Sequence, residues 1–272
     1  MKQILATLLA TFLINSLAAQ QTLPPRSAKS GLSKRAERRM ERQQKISSII
    51  RQQEEGLLTY SRQNVFAVQL RTDGYGLFFE HGRNKTPRKT ATYLFELTET
   101  KHPKEERSVN GNGIFSNSFI YGKINNLYSA KLGYGQQYIL GQKGNKNGVA
   151  VMAVYQGGLA LGLLRPYYVQ VNESGGGRDI KFESADSALF LSGPILGGSG
   201  LRTGWNELEV VPGAFAKLAL RFDFGQYNEV VKGVQIGVTA EVYSKEIPLL
   251  VGSSPDRFFY NINFALLFGR RK

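Results

Sequence analysis

The side chains best suited to proton transfer are the two histidines, His81 and His102, because imidazole changes charge near neutral pH. A barrel hydrolase of lipid A or peptides would need one of them to activate a nearby serine or aspartate. No His-x-Ser arrangement is present. His81 closes an alternating apolar stretch and His102 falls in a polar one, so both read as interfacial or loop residues, and no catalytic residue is assigned. Glycines crowd at 111–113, 141–148 and 175–177, yet none is followed by the Gly-Lys-Ser or Gly-Lys-Thr of a phosphate loop. Cysteine is absent and no usual metal-ligand spacing occurs. The sequence therefore implies neither cofactor nor metal.

A second set of chemically capable residues is Arg71, Glu80, Glu96, Lys131, Lys217, Arg221, Asp223 and Glu241. Each lies on the polar side of an alternating segment. If that side is enclosed, the charges must pair, because an unpaired buried charge is costly. Across a hairpin turning at 226–229, Lys217 and Glu241 come out as diagonal neighbours on one face and are expected to pair. A third set is basic, with Lys34, Arg35, Arg38, Arg39, Arg42 and Lys45 crowded near the N-terminus.

The elements that position the second set repeat with period two from residue 64 onward. In 257–268, Phe258, Tyr260, Ile262, Phe264, Leu266 and Phe268 share one face, and Asn261, Asn263 and Ala265 the other. In 230–243, Val234, Ile236, Val238, Ala240 and Val242 oppose Gly233, Gln235, Gly237, Thr239 and Glu241. In 213–225 the apolar face is Ala214, Ala216, Leu218, Leu220, Phe222 and Phe224, opposite Lys217, Arg221 and Asp223. Weaker versions at 64–71, 75–82, 89–99, 115–123, 130–140, 149–156 and 159–171 bring the total to ten strands, with eight and twelve as alternatives. Each is long enough for a tilted strand to cross a hydrocarbon layer. Gln156, Gly157 and Gly158 split the apolar stretch 149–171, which predicts a hairpin there.

Connections alternate in length. Short turns are expected at 83–88, 124–129, 157–158 and 226–229, and longer loops at 100–114, 141–148, 172–212 and 244–256, with Asp73-Gly74 a tight turn on the long-loop side. An up-and-down antiparallel barrel collects such loops at one end and turns at the other, the asymmetry of outer-membrane barrels. A soluble ligand-binding barrel alternates too, but its outward polar face would be rich in Lys and Glu. Here the polar face is mostly Gly, Asn, Gln, Thr and Ser with sparse charge, which suits a crowded lumen, and the apolar face suits lipid.

The segments TDGYGLFFEHG at 72–82, YGKINN at 121–126, Pro166-Tyr167-Tyr168 and the closing FFYNINFALLFGRRK resemble uncharacterised outer-membrane β-barrel proteins of the Bacteroidota. The resemblance covers 64–272 and implies fold and location, not an activity. The last strand also resembles the C-terminal strand by which the barrel-assembly machinery accepts its clients, although Gly269, Arg270, Arg271 and Lys272 follow Phe268.

Upstream, 1–19 has a lysine, an apolar run and small residues before Gln20, the layout of a cleaved secretory signal. Residues 20–62 form a basic extension with a helix expected over 33–55, and 63–272 the barrel. Lys plus Arg number 35 against 21 Asp plus Glu, a formal charge of +14, but export argues against nucleic acid as the partner. The 30 glycines, 13 tyrosines and 16 phenylalanines favour turns and strands over a helical bundle. The expected protein is a non-enzymatic outer-membrane barrel with a structural, assembly or secretion role and both termini in the periplasm. Its partners would be outer-membrane lipid, the assembly machinery, and another envelope protein or cell-wall polymer at the basic helix. The alternatives are a small-solute or ion channel and a barrel enzyme.

Overall fold

In the computed structural model, the described residues are 38–44, 47, 60–108, 118–145, 147–173, 176–183, 185–227 and 229–272. Residues 38–44 are helical and exposed, so Arg38, Arg39 and Arg42 present their charges to the surroundings. Apart from Ser47, also helical and exposed, the rest of the predicted helix, with Lys34, Arg35 and Lys45, lies outside the described residues, as does the predicted signal.

From Tyr60 onward the chain is built of strands: β1 (Arg62–Arg71), β2 (Gly74–Thr86), β3 (Lys89–Thr100), β4 (Arg107–Ser108), β5 (Phe119–Ile120), β6 (Asn125–Gly141), β7 (Ala150–Pro166), β8 (Tyr168–Glu173), β9 (Gly176–Lys181), β10 (Ile195–Gly198), β11 (Glu209–Asp223), β12 (Val230–Ile247) and β13 (Asp256–Arg271). Eight of them close into an antiparallel barrel in the order β1-β13-β12-β11-β7-β6-β3-β2. The first and last strands seal it, Gln63 standing opposite Arg271. Period-two alternation is nearly unbroken: in β1 the residues from Arg62 to Arg71 are exposed and buried by turns.

The expected ten strands are thus eight, for two reasons. Of the stretch 115–123, the described residues 118–123 supply as strand only the two-residue β5, paired with β4 outside the barrel. The predicted hairpin at Gly157-Gly158 is the middle of one continuous strand, β7. Those glycines mark close approach, not reversal. A Cβ on Gly158 would stand 2.1 Å from the Leu132 carbonyl oxygen, and one on the facing Gly133 would stand 2.7 Å from the Phe215 ring. The glycine pair opens the room into which Phe215 packs, the close-packing use of glycine in a strand.

Two connections also change ends. The expected turn at 124–129 is the start of β6, and the expected long loop at 141–148 is a turn between β6 and β7, at the same end as Thr86–Lys89 and the β11–β12 turn. The two longest connections, 101–124 and 167–208, nevertheless lie at the opposite end. There the predicted loop after β7 is folded: β10, β8 and β9 form a three-stranded sheet, and Phe119, Val169, Val171, Ile180, Phe190 and Ile195 bury one another beneath it. The short helix Ser187–Ser192 contributes Phe190 to that core. Lys123 bridges Leu250, tying the β3–β6 loop to the β12–β13 loop.

Candidate functional site

The lumen is where the barrel brings its chemistry together. Arg71, Glu80, Glu96, Lys131, Lys217, Arg221, Asp223 and Glu241 are all buried there, and their contacts fall into three tiers along the barrel. Nearest the loops, Arg71 donates through Nε and Nη2 to Asp73 at 2.9 Å each, and through Nη2 to Glu241 Oε1 at 2.8 Å. Lys131 joins this tier to the next carboxylate, reaching Glu241 Oε1 at 2.7 Å and Glu96 Oε1 at 3.0 Å. Lys217 completes it, donating to Glu96 Oε2 at 2.8 Å with its ammonium 4.4 Å from the Phe78 ring centre.

The middle tier is a forked pair. Arg221 Nη1 and Nη2 meet Glu80 Oε1 and Oε2 at 2.8 and 2.9 Å, the bidentate geometry in which guanidinium and carboxylate match. Gln235 Oε1 takes two further guanidinium N–H groups, and Gln156 donates to Glu80 Oε2 at 2.9 Å. At the turn end, Asp223 accepts from Arg271 and from the Gly225 backbone N–H, with Lys143 at 3.7 Å. Burial of Lys143, which lies in the β6–β7 turn, holds its amine below the ordinary lysine range.

The expected Lys217–Glu241 pair does not form. The register sets Lys217 opposite Thr239 and Glu241 opposite Phe215, so the Phe215 ring stands beside the carboxylate on β11. Both charges find partners across the lumen instead of along the hairpin. Sequence reading also missed Asp73, Lys143, Arg271 and Tyr243 as partners of these charges, and placed glutamine on the polar face without assigning it a partner. The signal for Arg271 was present, since it shares strand parity with Asn261, Asn263, Ala265 and Leu267; β13 continues past Phe268 and its last inward side chain completes the turn-end tier. Nor is the lumen only small and polar. Phe78, Leu94 and Phe215 are buried among the charges and block the bore with hydrocarbon.

The outer wall carries the predicted lipid face: Phe258, Tyr260, Ile262, Phe264, Leu266 and Phe268 are all exposed. His81 pairs through Nδ1 with Asn64 Oδ1 at 2.6 Å. His102 does meet a serine, its Nε2 lying 3.1 Å from Ser253 Oγ, an arrangement the sequence did not suggest. Its Nδ1 accepts a hydrogen bond from the Lys104 N–H, so in the neutral ring Nε2 carries the proton and donates it to Ser253. That tautomer cannot act as the general base for Ser253. No group of three or more potential metal ligands occurs among the described residues.

No family model matches the chain, and no curated protein matches it. It is similar in structure to several solved barrels. One is Ail, the attachment invasion locus protein of Yersinia pestis, in complex with the heparin analogue sucrose octasulfate, at 9% identity over 79% of this chain and 100% of that chain, TM-score 0.37. Another is Neisserial surface protein A, at 6% identity over 78% and 96%, TM-score 0.39. A third is the N-terminal β-barrel domain of Pseudomonas aeruginosa OprF, at 8% identity over 77% and 98%, TM-score 0.32. The architecture stands on the strand pairing above, and these likenesses assign no residue a role.

Proposed function

We propose that the chain is an integral outer-membrane barrel whose lumen is a structural spine and whose work is done at its surfaces, as a structural, assembly or secretion-related partner in the envelope. The observation that carries the reading is the outer wall. Tyr260 is 74% exposed, Val238 54%, Leu218 61% and Leu159 69%, on the successive neighbours β13, β12, β11 and β7 of a closed sheet. A continuous apolar surface of that kind is far outside what a water-soluble monomer exposes, and a closed barrel is one of the two structures able to span hydrocarbon. In this reading the signal at 1–19 is removed, both termini lie in the periplasm, the loops face outward, and the final strand is presented to the barrel-assembly machinery. The basic segment is left to contact another envelope protein or the cell-wall polymer. The resemblance to Bacteroidota proteins makes such an envelope its setting.

The non-enzymatic part of this reading is supported by the His102 tautomer and by lumen carboxylates each held by cations. The direct test is flotation of refolded protein with phosphatidylcholine vesicles and a heat-dependent change in gel migration; protein that stays soluble without detergent overturns the reading. In planar bilayers the expected result is no large, steady conductance, because side chains occupy the bore of an eight-stranded barrel.

A further inference from the structure

Where the barrel strands rise past the apolar belt on the loop side, the wall changes chemistry. Tyr75, Glu99, Tyr128 and Arg165 have the strand parity of the outward apolar residues below them, and Asn126 stands opposite Arg165 across β6 and β7. Described residues on either side of this rim, Lys101 to Arg107 and Ser118 to Lys123 between β3 and β6 and Tyr167 and Gly198 to Leu201 between β7 and β11, line with it a cavity of about 790 Å³. The cavity therefore lies on the outer side of the barrel wall, above the apolar belt, and not in the lumen.

Its lining is rich in donors. Lys101, Arg107, Lys123 and Arg165 outnumber Glu99 and Glu105. Lys123 is already held by both oxygens of Glu105 at 2.8 Å. Arg165 is 4% exposed and fixed in place: Nη1 donates to the Leu201 carbonyl at 2.6 Å, and the guanidinium lies 5.2 Å from the Trp205 ring and 5.7 Å from that of Tyr128. Its Nε has no hydrogen-bond partner, and neither has Nδ2 of Asn126, which is 5% exposed. Buried donors are nearly always satisfied. Two of them on adjacent strands, one from a charged guanidinium, call for an anionic oxygen acceptor, and phosphate matches that fork best. Tyr75, Tyr128 and Tyr167 add flat aromatic surface, with Trp205 stacked on Tyr128 behind it, and the carboxylates of Glu99 and Glu105 add acceptors for hydroxyl groups.

We propose that this cavity binds a phosphorylated sugar, with the phosphate on Arg165 Nε and Asn126 Nδ2, and that its source is the head group of an outer-leaflet glycolipid. The source rests on the membrane reading above; the anion site does not. Trp205 is the chain's single tryptophan and touches Arg165, so its emission reports the site.

The mature chain is reconstituted into phosphatidylcholine nanodiscs with and without lipid A, and separately titrated in plain discs with glucose 1-phosphate and with inorganic phosphate. A saturable shift in Trp205 emission with lipid A is expected, with a weaker one for glucose 1-phosphate. Arg165→Lys and Asn126→Leu should each raise the lipid A midpoint at least tenfold, while heat-modifiable migration verifies that the variants fold. Should Arg165→Lys fail to fold, Asn126→Leu alone decides, because removing its unpartnered donor takes no hydrogen bond from the barrel. A response to glucose 1-phosphate but not to lipid A overturns the lipid as source. Inserted protein that answers neither, or variants that answer like the parent, overturn the site. Protein that will not enter discs overturns the membrane reading and the lipid source with it, and glucose 1-phosphate titrated in detergent then decides the anion site.

Discussion

The lumen and the loop-side rim hold the same kinds of side chain to opposite ends. In the lumen, Glu80, Glu96, Asp223 and Glu241 are each met by Lys or Arg from a facing strand, over distances such as 2.7 Å from Lys131 to Glu241 and 2.8 Å from Arg221 to Glu80. At the rim, Arg165 and Asn126 are as thoroughly buried and keep the unmatched donors Nε and Nδ2 on residues that line a cavity. Unmatched N–H groups remain in the lumen as well, on Arg71 and Arg271, but each of those cations is already held by a carboxylate, whereas the Arg165 guanidinium is held by a backbone carbonyl and can still take a ligand's anion. The two regions should accordingly respond to substitution in opposite ways, the lumen through stability and the rim through binding.

The largest effect is expected from Glu96→Ala. It strips Lys131 and Lys217 of a shared carboxylate at once, and breaking a buried pair by removing one partner costs about 3–5 kcal/mol. Urea unfolding in detergent, followed by gel migration, should register that loss. Replacing Glu96 and Lys217 together by apolar residues should cost much less, since Lys131 keeps Glu241 and no uncompensated charge remains. Equal losses in both variants would mean that packing, not pairing, holds the lumen.

Next comes Leu218→Arg, which puts a charge in the middle of the outer wall. In a bilayer this should cost about 2–4 kcal/mol, as for a cation at the midplane of a barrel. If water surrounded the wall, the same substitution at a residue 61% exposed would be neutral for stability and would improve solubility. The sign of the change in vesicles therefore tests the medium around the barrel.

A smaller, purely steric effect is expected at Gly158→Val. The new Cβ meets the Leu132 carbonyl oxygen, a backbone atom that cannot rotate away, and overpacking of this kind costs about 1–3 kcal/mol. A neutral result would restore the turn that the sequence suggested at 157–158.

These positions also show what the sequence could tell. Alternation identifies inward and outward faces without knowledge of the fold, so all eight lumen charges and the whole outer face of β13 were legible. Strand number was not, because Gly157 and Gly158 read the same whether glycine permits a turn or, as at Gly158, a close approach to the backbone of β6; only the neighbouring strands distinguish the two. Pairing across the bore was equally hidden. Lys217 lies near Glu241 along the hairpin, but its partner Glu96 is 121 residues away, and barrel closure alone brings them together. The rim cavity had no signature at all, since Asn126, Arg165 and Trp205 meet only when two loops fold back over the wall.

The smallest structural effect, and the sharpest separation of the two regions, is expected from Lys101→Gln. Lys101 lines the rim cavity and its ammonium sits 4.8 Å from the Tyr75 ring centre, a partly exposed cation–π contact worth about 0.5–1 kcal/mol. Unfolding should therefore shift by no more than that, several-fold less than for Glu96→Ala, although both changes remove one charge. Binding should move the other way. With a cation gone from the cavity wall, the lipid A midpoint read by Trp205 should rise several-fold in Lys101→Gln and stay unchanged in lumen variants that still fold, such as Lys143→Met. If Lys101→Gln destabilised the barrel as much as Glu96→Ala, the rim would be part of the same structural spine, and its open donors would have no separate purpose.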